Sequence, residues 1–232
     1  AADTLNGTAG DDLIVGLGGA DRLQGGDGAD TLVGEVGDLV IDGGDGIDLA
    51  QLDLSAATAS LRYTLAPGVQ TLAGISLANI ERIDVIGGRG ADVFTGGALN
   101  DTLDGGQGAD WLKGGGGDDL LRGGEGYDIL DGGDGADTLI GGASTDQLTG
   151  GAGDDLLVGG SDDAPIDGGA GVDRAMLDFA TETSALTFSV AANLTGSVLI
   201  RGTSVRNVET VDFTAGAGSD TVSGGALADT LR

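Results

Sequence analysis

The hydrophobic and polar positions of this chain recur with a period of nine residues. From Gly87 the sequence divides into ten consecutive units ending at residue 176, of which GGQGADWLK, GGEGYDILD and GGDGADTLI are typical. Positions one and two are glycine in every unit, position six is aspartate in nine of the ten, and position eight is always apolar. Self-similarity at a fixed short period is the sequence signature of a solenoid or a repeat array.

Each unit predicts one short strand and one turn. A three-residue stretch with an apolar middle residue is a minimal β-strand, because successive side chains point to opposite faces. The preceding glycines tolerate positive φ and close backbone approach, so they predict the turn. Strand and turn then wind into an all-β solenoid whose core is position eight. The predicted core leucines form two files and are Leu103, Leu112, Leu121, Leu130, Leu139, Leu148 and Leu157.

The same nonapeptide divides the chain into arrays and spacers. We expect a first array at 1–51, a spacer at 52–86, the main array at 87–176, a second spacer at 177–214 and the start of a third array at 215–232. The spacers are related, since residues 43–66 match residues 168–191. Their alternating segments, such as LRYTL and ERIDV, predict strands that cap or continue the solenoid. Residues 1–6 read as the end of an earlier unit, so we expect the chain to be part of a longer repetitive protein with flanking repeats as neighbours.

The excess of acidic residues favours cations as the binding partners of this chain. The chain has 49 glycines, 38 acidic residues against 10 basic ones, and a net charge of −28. This balance argues against nucleic acid and anionic membrane surfaces, which attract Lys and Arg. No apolar run approaches the ~20 residues of a membrane span. The chain has no Cys and no His, which excludes disulfides and disfavours zinc.

The position-six aspartates predict a metal between stacked turns. At strand spacing, neighbouring carboxylates would repel by about 0.9 kcal/mol in water and about 3.5 kcal/mol at an effective dielectric constant near 20. One buried leucine per unit does not offset this repulsion together with the loss of backbone entropy. Calcium accepts six to eight oxygens from carboxylates and backbone carbonyls, whereas magnesium retains its waters and demands octahedral geometry. The sequence therefore predicts calcium, and without calcium a disordered acidic chain.

The unit G-G-x-G-x-D-x-apolar-x resembles the RTX (repeat-in-toxin) calcium-binding repeat. The resemblance implies a right-handed parallel β-roll with two units per coil, interrupted here by the β-strand spacers, and with roughly eight to twelve calcium ions held between units n and n+2. The position-six carboxylates that it implies as ligands are Asp12, Asp21, Asp30, Asp48, Asp92, Asp101, Asp110, Asp119, Asp128, Asp137, Asp146, Asp155, Asp173, Asp220 and Asp229.

The resemblance also implies backbone ligands in the main array. Carbonyls of Gly105 and Gln107 with Asp110 would face carbonyls of Gly124 and Gly126 with Asp128, and Gly114, Gly116 and Asp119 would likewise face Gly133, Gly135 and Asp137. Two units depart from the pattern, because Leu39 and Ala164 occupy position six. We expect weak or absent sites there.

Both spacers carry a polar pattern that leaves two interpretations open. Asn79, Glu81 and Asp84 in the first spacer match Asn207, Glu209 and Asp212 in the second. These residues either bind metal or form a turn and surface charges before the next array, and the second interpretation is favoured.

A non-catalytic role is expected. The absence of His excludes His-based triads and HExxH sites, and no nucleophile elbow or phosphate-binding loop occurs. The resemblance implies a bacterial protein exported by type I secretion that folds outside the cell in millimolar calcium, supporting the secretion, folding or stability of a larger secreted protein. The alternative is a surface adhesin, polysaccharide-binding or surface-layer segment on the same scaffold, with a polysaccharide or a surface lattice as partner.

Overall fold

The computed structural model of the chain is all-β. It describes residues 1–160, 163, 165–180, 187–189, 198–200, 203–217, 221–223 and 230–231. Over these residues every regular element is a strand, and no helix is present that could cross a membrane.

The described residues form 26 strands. In order they are β1 (Thr4–Asn6), β2 (Leu13–Val15), β3 (Arg22–Asp27), β4 (Thr31–Glu35), β5 (Val40–Asp45), β6 (Leu49–Asp53), β7 (Arg62–Thr64), β8 (Gln70–Leu72), β9 (Ile75–Ala78), β10 (Arg82–Ile86), β11 (Val93–Thr95), β12 (Thr102–Gln107), β13 (Trp111–Gly116), β14 (Leu120–Glu125), β15 (Ile129–Asp134), β16 (Thr138–Ala143), β17 (Gln147–Ala152), β18 (Leu156–Gly160), β19 (Ile166–Ala170), β20 (Arg174–Asp178), β21 (Thr187–Ser189), β22 (Val198–Ile200), β23 (Thr203–Arg206), β24 (Thr210–Thr214), β25 (Thr221–Ser223) and β26 (Thr230–Leu231).

Consecutive units alternate between two facing walls of parallel strands. One wall is an 11-stranded sheet in the order β2-β4-β6-β10-β12-β14-β16-β18-β20-β24-β26. The opposite wall contains a 5-stranded sheet, β1-β3-β5-β9-β8, and an 8-stranded sheet, β22-β23-β19-β17-β15-β13-β11-β7, and β21 pairs with β25. Within the main array each strand pairs with the strand two units later, as in the alignment of Leu112 with Leu130. Two units therefore make one coil, and the predicted parallel β-roll is confirmed.

The core is a narrow double file of position-eight side chains between the two walls. Leu112, Leu130 and Leu148 stack on one wall. The four leucines of the other file stack on the opposite wall and are Leu103, Leu121, Leu139 and Leu157. All seven are at most 1 % exposed. The predicted core of the main array is therefore confirmed.

The array strands are longer than the three residues predicted from the repeat. Strand β14 runs from Leu120 through positions one to three of the next unit and ends at Glu125. Its glycines stay in the parallel ladder, where Gly106 aligns with Gly124. Glycine's lack of a Cβ allows this extended pairing at positive φ. The turn itself is confined to positions four to six, which places the aspartate at the start of the following strand.

The spacers continue the roll on one wall and interrupt it on the other. Strand β10 pairs with β6 on one side and β12 on the other, so the 11-stranded sheet passes through the first spacer unbroken. On the opposite wall the hairpin of β8 and β9 stacks on β5, whereas β7 pairs with β11. The second spacer has the same pairings in β20 to β25, including the antiparallel pair of β22 and β23. The match between the spacers is thus structural.

Candidate metal centre

The position-six aspartates form a ladder along each edge of the roll. Within the arrays, Oδ1 of one aspartate accepts the backbone N–H of the aspartate one coil earlier, at 2.7 to 2.9 Å where the two are 18 residues apart. Asp110 and Asp128 are one such pair. The buried members of the ladder are Asp21, Asp30, Asp48, Asp92, Asp101, Asp110, Asp119, Asp128, Asp137, Asp146, Asp155 and Asp173. Asp12 is half-buried at the first turn.

The second carboxylate oxygen has no hydrogen-bond partner in nine of these aspartates. The nine buried, unpartnered Oδ2 atoms belong to Asp30, Asp48, Asp110, Asp119, Asp128, Asp137, Asp146, Asp155 and Asp173. A buried polar atom without a partner is rare because it loses its hydration without compensation. Nine equivalent cases among the described residues indicate that these oxygens accept a common, positively charged partner.

The conformation of the position-two residue decides whether Oδ2 is unpartnered. In all nine turns this residue is a glycine with φ between 90° and 120°, as in Gly106 and Gly151. In three other turns the position-two residue lacks positive φ, and its N–H donates to Oδ2: Thr8 to Asp12, Gly88 to Asp92 and Gly97 to Asp101. Left-handed glycine therefore turns its N–H away from the carboxylate and leaves that oxygen available to a cation.

Because the position-one glycine has no Cβ, its turn leaves room for the unpartnered carboxylate oxygen. A Cβ built on Gly105 would lie 2.3 Å from Oδ2 of Asp110 and 2.7 Å from the carbonyl oxygen of Gly123, one coil later. The same juxtaposition of Oδ2 with a carbonyl oxygen of the next coil occurs at eight of the nine aspartates, the exception being Asp146. Carboxylate and carbonyl oxygens are both acceptors and repel each other at close range, whereas a cation binds both.

Burial raises the pKa of the ladder carboxyls. The pKa of Asp110 rises to about 6, and the pKa values of Asp119, Asp146 and Asp155 rise to about 7. Loss of hydration is the main cause, the hydrogen bond from the preceding aspartate's N–H opposes it, and neighbouring carboxylates raise the pKa further. The site therefore disfavours uncompensated charge, and a bound divalent cation would restore the ionised form.

The turns that were predicted to share an ion lie in adjacent coils. Gly106 aligns with Gly124 and Gln107 with Glu125, which stacks the turn 105–110 on the turn 123–128. Gly115 aligns with Gly133 in the same way, which stacks 114–119 on 132–137. The backbones approach so closely that Cβ atoms on the position-two and position-four glycines of the upper turns would collide with carbonyl oxygens below: Gly124 with Gly106, Gly126 with Gly108, Gly133 with Gly115 and Gly135 with Gly117.

A calcium site in these turns needs backbone carbonyl ligands in addition to the carboxylates. Among the described residues, no group of three or more His, Cys, Asp or Glu side chains converges as a metal site. Calcium accepts carbonyl oxygens alongside carboxylates, so a pair of carboxylates with stacked glycine carbonyls fits calcium better than it fits zinc. The individual ligands remain predictions, and Asp220 and Asp229 lie outside the described residues.

The two irregular units still place a carboxylate in the ladder, and the expectation of weak or absent calcium sites there stays a prediction. Asp38 and Asp163, one place before Leu39 and Ala164, are buried and accept the N–H of Asp21 and Asp146. Their Oδ2 atoms accept the N–H of Glu35 and Gly160 instead of staying unpartnered. The irregular units therefore keep the ladder but engage the oxygen that the regular turns leave open. The one-place shift of the aspartate is visible in the sequence.

The family comparison agrees with this geometry. The family model described as RTX calcium-binding nonapeptide repeat (4 copies) matches residues 1–32, 15–50, 84–106, 95–130, 131–163 and 213–231, which together cover more than half of the chain. The chain belongs to the RTX calcium-binding repeat family. No curated protein matches it.

Membership of the RTX family explains why a turn can bring carboxylate and carbonyl oxygens together without a hydrogen-bond donor for Oδ2. The nonapeptide is a calcium-binding motif, so calcium is the cation that the family match supports for the unpartnered oxygens. The RTX turns follow each other at one coil spacing along each edge, and each presents one carboxylate and close-packed carbonyls. When bound, calcium would supply the positive charge that these oxygens lack.

Proposed function

We propose that this RTX chain is a calcium-binding module that folds when it meets calcium outside the cell and supports the secretion, folding and stability of a larger secreted protein. The observation that carries the proposal is the set of nine buried aspartate oxygens without a donor, eight of which adjoin a carbonyl oxygen of the next coil. The proposed role is structural and not catalytic.

The electrostatics couple folding to calcium. The core contributes only one apolar side chain per nine-residue unit, which does not offset the backbone entropy that the unit loses on folding. Closing the roll also brings carboxylates of successive coils together and removes their water. With a net charge of −28, the chain is expanded by self-repulsion until cations bind. Calcium bound between coils removes the repulsion and stabilises the roll, because it binds the folded chain far more strongly than the unfolded one.

The proposed compartment follows from calcium levels. Extracellular calcium modules typically have Kd values of about 10⁻⁴–10⁻³ M, so they stay empty in the cytosol and fill outside it. An unfolded chain inside and a folded chain outside suits export in an extended state. The family's repeats and the number of unpartnered oxygens support a row of ions, which we place at roughly eight to twelve.

The test is a calcium titration of metal-free protein followed by far-UV circular dichroism, with magnesium as the control. We expect a cooperative transition from coil to β-structure at submillimolar to millimolar calcium, and no comparable transition with magnesium. Equilibrium dialysis at saturating calcium should give eight to twelve ions per chain. A chain that is already folded in metal-free buffer, or that ignores calcium, would refute the proposal.

A second candidate is binding of a surface polysaccharide on the same scaffold. Trp111 is 55 % exposed and Tyr127 43 % exposed; Trp111 begins β13 and pairs with Ile129 of β15, two residues after Tyr127. The Tyr127 hydroxyl accepts a hydrogen bond from Gln147. Sugar rings stack on exposed aromatic faces. Affinity electrophoresis with soluble polysaccharides tests this candidate, which predicts retardation of the calcium-loaded chain that Trp111→Ala abolishes.

A further inference from the structure

Each spacer has a three-residue segment of sequence Asn-x-Glu immediately before its last strand, β10 or β24. Asn79 and Asn207 begin these turns and have φ of 49° and 50°. Asparagine tolerates the left-handed region better than most residues other than glycine. Each asparagine side chain is anchored in the preceding coil, where Nδ2 donates to Asp42 Oδ1 at 2.8 Å and to Asp167 Oδ1 at 2.7 Å. The two turns are thus built alike, although they are far apart in the chain.

The glutamates of these turns take the place of position-six aspartates. Oε2 of Glu81 accepts the N–H of Asp48 at 3.0 Å, and Oε2 of Glu209 accepts the N–H of Asp173 at 2.8 Å. In the arrays the aspartate of the next coil makes this bond through Oδ1. The Asn-x-Glu turn therefore extends the carboxylate ladder into the spacer.

The asparagine carbonyls take the place of position-one glycine carbonyls. A Cβ on Gly43 would lie 2.1 Å from the carbonyl oxygen of Asn79 and 2.4 Å from Oδ2 of Asp48. In the second spacer the corresponding distances from Gly168 are 2.0 Å to the carbonyl oxygen of Asn207 and 2.7 Å to Oδ2 of Asp173. These are the same two acceptors that flank Gly105 in a regular turn.

The aspartates that face the spacers have unpartnered oxygens. Oδ2 of Asp48 and Oδ2 of Asp173 are buried, and neither has a hydrogen-bond partner. Each lies beside the same position-one glycine, Gly43 or Gly168, as a spacer carbonyl oxygen. If the spacer turns were only surface loops, both acceptor pairs would be left without a compensating charge.

The longer side chain of glutamate compensates for the smaller number of residues in the spacer turn. In a regular unit the carboxylate follows position one by five residues, as Asp48 follows Gly43, whereas Glu81 follows Asn79 by two. The extra methylene of glutamate reaches the same amide from this shorter loop. One ladder then runs through the first spacer, from Asp48 to Glu81 and on to Asp101, whose Oδ1 accepts the N–H of Ile83.

We propose that each spacer holds a calcium site of its own, formed by the Asp48 and Glu81 carboxylates with the Asn79 carbonyl, and repeated at Asp173, Glu209 and Asn207. The inference rests on the proposed function, since it extends the same ion row beyond the nonapeptides. The shortened turn has fewer backbone carbonyls to offer, so water completes the coordination and these two sites fill at higher calcium than the array sites.

Glutamine variants separate a ligand from a hydrogen-bond acceptor. Glu81→Gln and Glu209→Gln keep an oxygen that accepts the aspartate N–H but remove the charge. Glu125→Gln is the matched control, because Glu125 is exposed and only accepts a side-chain bond from Gln107. Equilibrium dialysis at saturating calcium is expected to lose one ion in each single variant, two ions in the double variant and none in the control, with wild-type β-structure by circular dichroism.

Terbium-substituted crystals of the full wild-type chain test the sites without relying on a variant that folds. An anomalous peak between the Asp48 and Glu81 carboxylates supports the inference. Absence of that peak while array peaks are present overturns it, as do wild-type ion counts in folded glutamine variants. If the wild-type chain binds no calcium at all, the proposed function fails first, and the two failures are distinguishable.

Discussion

The backbone N–H of Asp110 donates a 2.8 Å hydrogen bond to Oδ1 of Asp128, one coil further along the roll. This bond restrains the Asp128 carboxylate, whose unpartnered Oδ2 lies beside Gly123 together with the carbonyl oxygen of Gly141. The protein thus positions a ligand oxygen by a neighbouring amide, which reduces the ordering that the ion must impose. The same bond joins the backbone of one coil to the candidate ligand side chain of the next coil. Ion binding and coil stacking are therefore linked along the edge of the roll.

Substitution of Asp128 should weaken calcium binding without removing the ladder bond. Asp128→Asn retains an acceptor for the Asp110 N–H but loses the charge that a calcium site needs. We expect the calcium midpoint to rise by about tenfold or more, since carboxylate count tunes calcium affinity and tenfold corresponds to about 1.4 kcal/mol. Titration followed by circular dichroism and calorimetry measures the shift.

The matched control for Asp128 is Asp134→Asn. Asp134 lies at position three of the adjacent unit with an exposed side chain, so its substitution removes the same formal charge from the surface. We expect a small shift there. Equal shifts in the two variants would show that net charge, and not a buried ligand, sets the calcium midpoint.

Replacement by alanine should have very different effects at two glycines of one turn. A Cβ on Gly114 would lie 2.2 Å from Oδ2 of Asp119 and 2.6 Å from the carbonyl oxygen of Gly132, whereas on Gly116 its nearest neighbour is 3.7 Å away. Gly114→Ala should therefore destabilise the calcium-loaded roll by about 3 kcal/mol or more. Gly116→Ala should change its stability by less than about 1 kcal/mol. Urea unfolding in saturating calcium compares them, and similar midpoints would contradict the packing of the turn.

Much of this architecture is predictable because the repeat encodes it locally. The period fixes the coil, and the apolar position eight gives the two leucine files of which Leu112 and Leu121 are members. The sequence does not reveal that the position-two glycine selects between a capped and an open carboxylate. That choice depends on φ, and Gly88 and Gly106 are the same residue type with different backbone conformations.

The nine-residue period also does not predict where a carboxylate from another position takes the place of the position-six aspartate. Asp38 replaces the missing position-six carboxylate from one residue earlier because its side chain still reaches the N–H of Asp21. Glu81 does so from a turn three residues shorter, since its longer side chain offsets the lost backbone. Both turns depart from the repeat pattern, but in both a carboxylate oxygen still accepts the aspartate N–H of the preceding coil.

The leucine files should contribute stability that is separable from the ions. Leu130 is 1 % exposed and stacks between Leu112 and Leu148. Leu130→Ala should cost about 2–5 kcal/mol in urea unfolding at saturating calcium, because it removes buried surface and leaves a cavity. The number of ions at saturation should stay unchanged. Ile47→Ala, at a side chain that is 56 % exposed, is the control and should shift stability by less than about 0.5 kcal/mol. Equal losses would mean that the file is not the core.

Stability and calcium affinity should depend on pH in opposite directions. Burial raises the folded-state pKa of Asp119, Asp146 and Asp155 to about 7 and that of Asp110 to about 6, from an ordinary value of 3.8. Between the two values the folded metal-free chain binds more protons than the unfolded chain. Its stability is therefore greatest below about pH 4 and falls as the pH rises toward about 7. Calcium requires the ionised carboxylates, so its affinity rises over the same interval and binding releases protons.

Metal-free protein, prepared by passage over a chelating resin, should gain β-structure by circular dichroism when the pH is lowered from about 8 to about 5. The calcium midpoint should move to higher calcium over the same change, and calorimetry in buffers of different ionisation enthalpy should report proton release on binding. Asp45→Asn should leave both effects intact because its side chain is exposed. Asp119→Asn should reduce both effects. A calcium midpoint independent of pH between about 5 and about 8 would mean that the ladder carboxylates are ionised before calcium arrives, and the coupling between burial and binding would fail.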